Sequence, residues 1–214
     1  GTKTMDKFLS TVAALLTMTS VSQANNRFDT IEVFDWEVIK VVNDYDNRGV
    51  ACGLRKEINN NSTIIIQYHV EEVAIAISLY KDTWNIPANA KAPFYLYFGE
   101  ESPWTMWASP TDKDMLVAYL ARYGREHVTL GAFGYEFQNT DNLRIQFDGN
   151  EPDWNVSLRH GDVAFSVFKK CIKDITNTDP FEFTPSKPEE TQPFNDTEHR
   201  IPLSPVFPRP GEQR

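Results

Sequence analysis

Short apolar runs rich in β-branched and aromatic residues, separated by polar turns, make residues 28–158 read as strands, with period-two alternation at 73–80 and 94–98. An Ile-, Val-, Phe- and Trp-rich run over 31–42 predicts one strand. The polar turn Asn43-Asp44-Tyr45-Asp46-Asn47 separates it from a second at 49–54. The cluster Asn59-Asn60-Asn61-Ser62 precedes a third at 63–70. Over 73–80 the bulky Val73, Ile75, Ile77 and Leu79 alternate with Ala74, Ala76 and Ser78, so one face carries more volume than the other. Over 94–98, Phe94, Leu96 and Phe98 alternate with Tyr95 and Tyr97. Further strands are predicted at 104–108, 115–120, 128–133, 143–147 and 154–158, with a helix over 115–123 as the alternative to the second of these.

The period changes after Gly161-Asp162. Val163, Val167, Cys171 and Ile175 recur at i+4, joined by Phe168 and Ile172, and Lys169, Lys170 and Lys173 lie toward the end where cations suit the helix dipole. The spacing predicts a helix over 160–174. Many short strands with frequent turn signals, closed by one helix, predict a mainly β chain: an antiparallel β-sandwich or barrel-like fold with one C-terminal α-helix.

Both ends differ from this body. Residues 8–18 are an apolar stretch behind a short polar start at Met5, Asp6 and Lys7, and Ser22-Gln23-Ala24 supplies small residues where a signal peptidase reads. The run is shorter than the about 20 residues that a membrane-spanning helix needs. Residues 1–24 therefore read as a signal peptide cleaved after Ala24, with Gly1 to Thr4 an added scar or an upstream extension. Residues 25–177 are then the β-sandwich domain. From Asp179 onward prolines accumulate, eight of the chain's thirteen, and apolar residues thin out, so 178–214 reads as a disordered Pro-rich tail. Its P-x-x-P spacings suit a spacer or a ligand for aromatic grooves.

Charge and cysteines refine this picture. A formal net charge of −9 repels phosphate backbones, so no nucleic-acid partner is expected. An exported chain meets an oxidising compartment, where Cys52 and Cys171 are expected to form a disulfide; the alternative is two separate buried thiols. No metal or cofactor is expected. Two distant cysteines lack a His partner at ligand spacing, and Asp141, Asp148 and Asp153 lack the D-x-D-x-D-G spacing of a calcium loop.

No G-x-S-x-G, H-E-x-x-H, Walker loop, G-x-G-x-x-G or C-x-x-C occurs, and His69, His127, His160 and His199 are scattered. Glu71-Glu72 and Glu100-Glu101 are the closest carboxylate pairs. Neighbouring strand residues point to opposite faces, so neither pair makes a catalytic dyad by itself. No catalytic residue is assigned. Trp84, Trp104 and Trp107, with Tyr95 and Tyr97, form an aromatic-rich middle that suits core packing or, if exposed, a sugar or protein partner. Trp104, Trp107, Glu100 and Glu101 are the candidate partner-binding residues.

Four stretches resemble the invasion-associated locus B family of small exported bacterial proteins. They are Trp36-Glu37-Val38, Ala51-Cys52-Gly53-Leu54, the 73–79 run leading to Trp84-Asn85-Ile86-Pro87, and Gly161-Asp162-Val163-Ala164 leading to Cys171. The likeness spans 34–174. It implies a periplasmic or envelope-associated β-sandwich with a late helix, associated with host-cell entry or envelope interactions and without catalytic residues to carry over. The family's first strand usually contributes a cysteine, and none stands near Val41 here. The expectation is an exported, periplasmic or secreted, non-enzymatic protein that binds a protein or envelope component. The alternatives are a hydrolase acting on polysaccharide, or an inhibitor or immunity protein of a secreted hydrolase.

Overall fold

In the computed structural model of the chain, residues 26–44, 46–59, 61–122 and 127–182 are described, all within one compact unit. The expected leader, residues 1–24, and the Pro-rich segment from 183 onward lie outside the described residues. Ten strands run in the order β1 (Asn26–Val33), β2 (Trp36–Asn43), β3 (Gly49–Asn59), β4 (Ser62–His69), β5 (Ala74–Lys81), β6 (Ala92–Phe98), β7 (Trp104–Asp112), β8 (Met115–Arg122), β9 (Asn142–Phe147) and β10 (Trp154–Ser157). Two helices, α1 (His127–Asn139) and α2 (Gly161–Thr176), complete the body.

All strands join one antiparallel sheet in the order β1-β2-β3-β4-β5-β8-β7-β6-β9-β10. The chain meanders from β1 to β5, then β6, β7 and β8 return so that β8 lies beside β5, and β9–β10 add beyond β6. The sheet is not closed, because β1 and β10 do not pair. Its halves nevertheless approach across the interior: Lys56 Nζ on β3 donates to the Ser157 carbonyl at 2.6 Å, and Trp36 Nε1 donates to the Arg159 carbonyl at 3.4 Å. The mainly β, sandwich-like architecture is the one the alternation predicts.

The inner face carries the large apolar set. Val38, Leu54, Ile66, Ile77, Phe94, Leu96, Phe98, Leu116 and Ile145 are all buried in one cluster with the helices. The inward residues of β5 are Ile75, Ile77 and Leu79, the bulkier of the two sets that the sequence separates. Lys56, only 5% exposed, meets its charge with Asp35 at 2.6 Å, the Ser157 carbonyl and the Trp36 ring, 4.8 Å below its nitrogen. A buried ammonium needs such partners, since its desolvation is otherwise uncompensated.

Three features depart from the expectations. The run over 31–42 is two strands, not one, because the chain reverses at Phe34-Asp35, where Phe34 adopts φ 58° without a glycine to announce it. Phe34 stacks on His160, the residue before α2, with ring centroids 3.9 Å apart. The second departure is α1, a helix where a strand was expected over 128–133. Leu130, Phe133 and Phe137 recur at helical spacing and all three are buried, so tertiary packing outweighs the strand propensity of Val-Thr-Leu. Gly134 belongs to this packing: a Cβ there would come within 3.2 Å of Phe165 and 3.3 Å of Phe181. The third is Phe181, assigned by sequence to the tail but only 7% exposed, its ring 4.9 Å from that of Phe165. The other outcomes are close: β8 is a strand and not a helix, and α2 begins one residue later and ends two residues beyond the predicted span.

Cys52 on β3 and Cys171 on α2 form a disulfide, with Cα atoms 6.2 Å apart. It joins the sheet to the helix that covers its inner face. Among the described residues no helix is long and apolar enough to cross a membrane.

Candidate binding surface

Strand parity decides which aromatic residues reach solvent. On β7, Trp104 lies opposite inward-facing Leu96, and Trp107 lies opposite Pro93. Residues three apart on a strand point to opposite faces, so the two indoles part company. Trp104 is half-buried, packs edge-on against Phe133 at 5.8 Å and donates its indole N–H to Glu136 on α1 at 2.6 Å. It anchors the helix. Trp107 faces outward and is 71% exposed, the most exposed of the large apolar side chains described.

Around Trp107 the outer side of β7, β6 and β9 presents flat groups. Pro93 and Tyr95 are half-buried neighbours on β6, and Tyr95 is paired with Thr105 and Gln146. The Tyr97 hydroxyl hydrogen-bonds Gln146 Oε1 at 3.0 Å. The Arg144 guanidinium lies 4.1 Å over the Tyr97 ring and pairs with Asp153 at 3.1 Å. The result is an exposed indole at one end and a braced tyrosine–arginine–aspartate group at the other. Exposed aromatic surface beside oriented polar groups is the composition of a binding patch, where the ring supplies area and the polar groups supply orientation. Arg144 and Gln146 were missed by sequence reasoning, and Asp153 was weighed there only as a calcium ligand. The parity of Arg144 and Gln146 on β9, opposite Tyr97 and Tyr95, was the signal available once the pairing was known.

Glu100 and Glu101 are exposed in the β6–β7 turn, at the Trp104 end of the hairpin. Glu101 lies in the turn before β7, whereas Trp107 lies three residues into that strand, a rise of about 10 Å beyond Trp104. Glu71 and Glu72 occupy the exposed β4–β5 turn, and Glu72 accepts from the Tyr119 hydroxyl at 3.2 Å. Burial holds the His69 imidazole below its ordinary value, against the opposing charge of Glu72. Among the described residues no three His, Cys, Asp or Glu side chains converge as metal ligands.

The densest polar convergence lies elsewhere, at Glu151 before β10. Its Oε1 accepts from Lys81 Nζ at 2.7 Å and from Trp154 Nε1 at 2.8 Å, and its Oε2 accepts from Trp84 Nε1 at 3.0 Å. The Trp84 and Trp154 rings stack at 5.3 Å. Burial raises this carboxyl, but the donated hydrogen bonds and the Lys81 charge outweigh it and hold the group below its ordinary value of 4.5. A carboxylate with both oxygens engaged by fixed donors is a clasp, with little capacity left for proton transfer to a substrate. It ties the end of β5 to the β9–β10 loop.

A pH test follows. A depressed carboxyl contributes stability that is present above pH 4.5 and is lost as pH falls through the lower folded value. Glu151→Gln is expected to cost about 1–3 kcal/mol at pH 7, with much of the difference from wild type disappearing near pH 3. Urea unfolding of both proteins at the two pH values checks this. A deficit of equal size at both would rule out the ionised clasp.

Comparison with protein-family models, curated proteins and solved structures finds no match to this chain. The likeness to the invasion-associated locus B family therefore rests on the four short stretches given above.

Proposed function

We propose that this chain is an exported, non-enzymatic protein that binds a protein or envelope component through the outer side of β6, β7 and β9. The observation that carries the reading is Trp107. An indole 71% exposed at the edge of a braced polar group forgoes the hydrophobic stabilisation of burial, and a partner would supply it. The disulfide suits a periplasmic or secreted location, where such bonds persist. The leader-like residues 1–24 and the family resemblance support the same compartment. The acidic pairs stand in exposed turns and Glu151 has both carboxylate oxygens engaged by donors, which favours binding over hydrolysis.

Affinity capture from envelope extract tests the reading. Wild-type protein is expected to retain a stoichiometric partner, and Trp107→Ala to weaken that retention at least tenfold without altering thermal unfolding. Equal capture by both proteins, or glycan cleavage by the purified protein, would contradict it.

A further inference from the structure

Trp107 stands among hydroxyls rather than among apolar side chains. Its outward neighbours along β7 are Thr105 and Ser109, both exposed, and across the strand gap it faces Pro93. The centre of a protein–protein interface is built differently, with its anchoring ring set in a desolvated, mostly apolar surround. The next outward ring, Tyr95 on β6, lies diagonally from Trp107, their Cα atoms about 7–8 Å apart. Thr105 and Gln146 flank Tyr95 from either side. Beyond Gln146, Arg144 on β9 faces the exposed Asn155 on β10. Three interstrand gaps across and four residues along place Asn155 about 20 Å from Trp107, so flat rings and polar groups follow one diagonal track. The charged residue on that track, Arg144, lies over the Tyr97 ring and is neutralised by Asp153 at 3.1 Å.

We infer that the occupant of this track is an uncharged polysaccharide lying from Trp107 toward Asn155, an inference that rests on the reading of this side as the binding surface. A sugar ring is apolar on its C–H face and hydroxylated at its edge. The C–H face matches an exposed indole, which offers flat apolar area. The hydroxyl edge matches the Gln146 and Asn155 amides, because an amide donates and accepts at once, as a hydroxyl does. The Arg144–Asp153 pair adds a donor and an acceptor already oriented toward each other, with no net charge to be met by a partner. An anionic polymer is the poorer occupant, since the chain carries a formal net charge of −9. A cationic one is poorer too, since the carboxylate beside the track, Asp153, is already held by Arg144.

Binding of the full chain, disulfide oxidised, to immobilised envelope extract tests it. The extract is used untreated, digested with proteinase K, or oxidised with periodate, which cleaves the vicinal diols of sugars. Wild type is expected to bind the untreated and the digested extract equally and to lose at least tenfold after periodate. The flow-through of the digested extract from an anion exchanger should keep the binding. Trp107→Ala is expected to weaken it at least tenfold and Asn155→Ala about threefold to tenfold, with the urea unfolding midpoint unchanged in both. Trp107-dependent binding that survives periodate and is lost on digestion would overturn the polysaccharide and leave the surface with a protein partner. Binding confined to the fraction that the anion exchanger holds, or an Asn155→Ala variant that binds as wild type does, would also overturn it. Absence of any Trp107-dependent binding to untreated extract would overturn the surface itself and this inference with it.

Discussion

Replacing Cys52 and Cys171 together by alanine will lower the stability of the body by about 2–5 kcal/mol. The bond spans 119 positions, so its loss frees a large loop in the unfolded chain, for which the chain-entropy model gives roughly 4–5 kcal/mol as an upper figure. The effect is also local to the fold. The bond fastens α2 to β3, and α2 supplies Phe165, Phe168 and Ile172 to the inner cluster. With a urea m-value of about 2 kcal/mol/M, the unfolding midpoint should fall by about 1–2.5 M. Treating wild type with dithiothreitol should reproduce most of that shift, and the alanine pair should show no further response to reductant. A midpoint unmoved by either change would mean that α2 holds its place without the bond.

Phe165→Ala is expected to cost about 3–5 kcal/mol. Phe165 is fully buried, and its ring meets Phe137 at 5.0 Å, Phe168 at 5.8 Å and Phe181 at 4.9 Å. It is thus the side chain where α1, α2 and the segment after α2 converge. Three rings lose a partner at once, and the backbone at Gly134 cannot close the gap without moving α1. Phe165→Leu should recover a large part of the loss, because it restores apolar volume without the ring contacts. Thermal and urea unfolding measure both. A cost below about 1 kcal/mol for the alanine variant would show that the helices are not packed through this residue.

The strands were legible because one face of this sheet is apolar and period two is hard to imitate. The alternations Ile75-Ile77-Leu79 and Phe94-Leu96-Phe98 identified the inward residues correctly. Turns were legible only where Asn, Asp or Gly marked them; the reversal at Phe34 carries no such mark. Helix α1 was hidden because Val, Thr and Phe read locally as strand, and only the contacts with Phe165 and Phe181 account for Gly134. The sheet order was not legible, since placing β8 beside β5 is a long-range choice that local periodicity does not encode.

The candidate surface was half visible. Trp107 was singled out, but grouped with Trp104 although three positions on a strand separate their faces. The Glu151 clasp was invisible, because its Lys81 partner lies 70 residues away and no motif links them. The disulfide was inferred from compartment, and the register that sets Cys52 inward on β3 is what makes it geometrically possible.

The central claim is that the outer side of β6, β7 and β9 is the working surface. Oxidative footprinting of the five tryptophans, with and without envelope extract, tests it most directly. The account predicts that Trp107 is modified readily in the free protein and protected on addition of extract. Trp36, Trp84, Trp104 and Trp154 should be unchanged. Trp107 oxidised equally in both samples, with protection appearing elsewhere or nowhere, would contradict it.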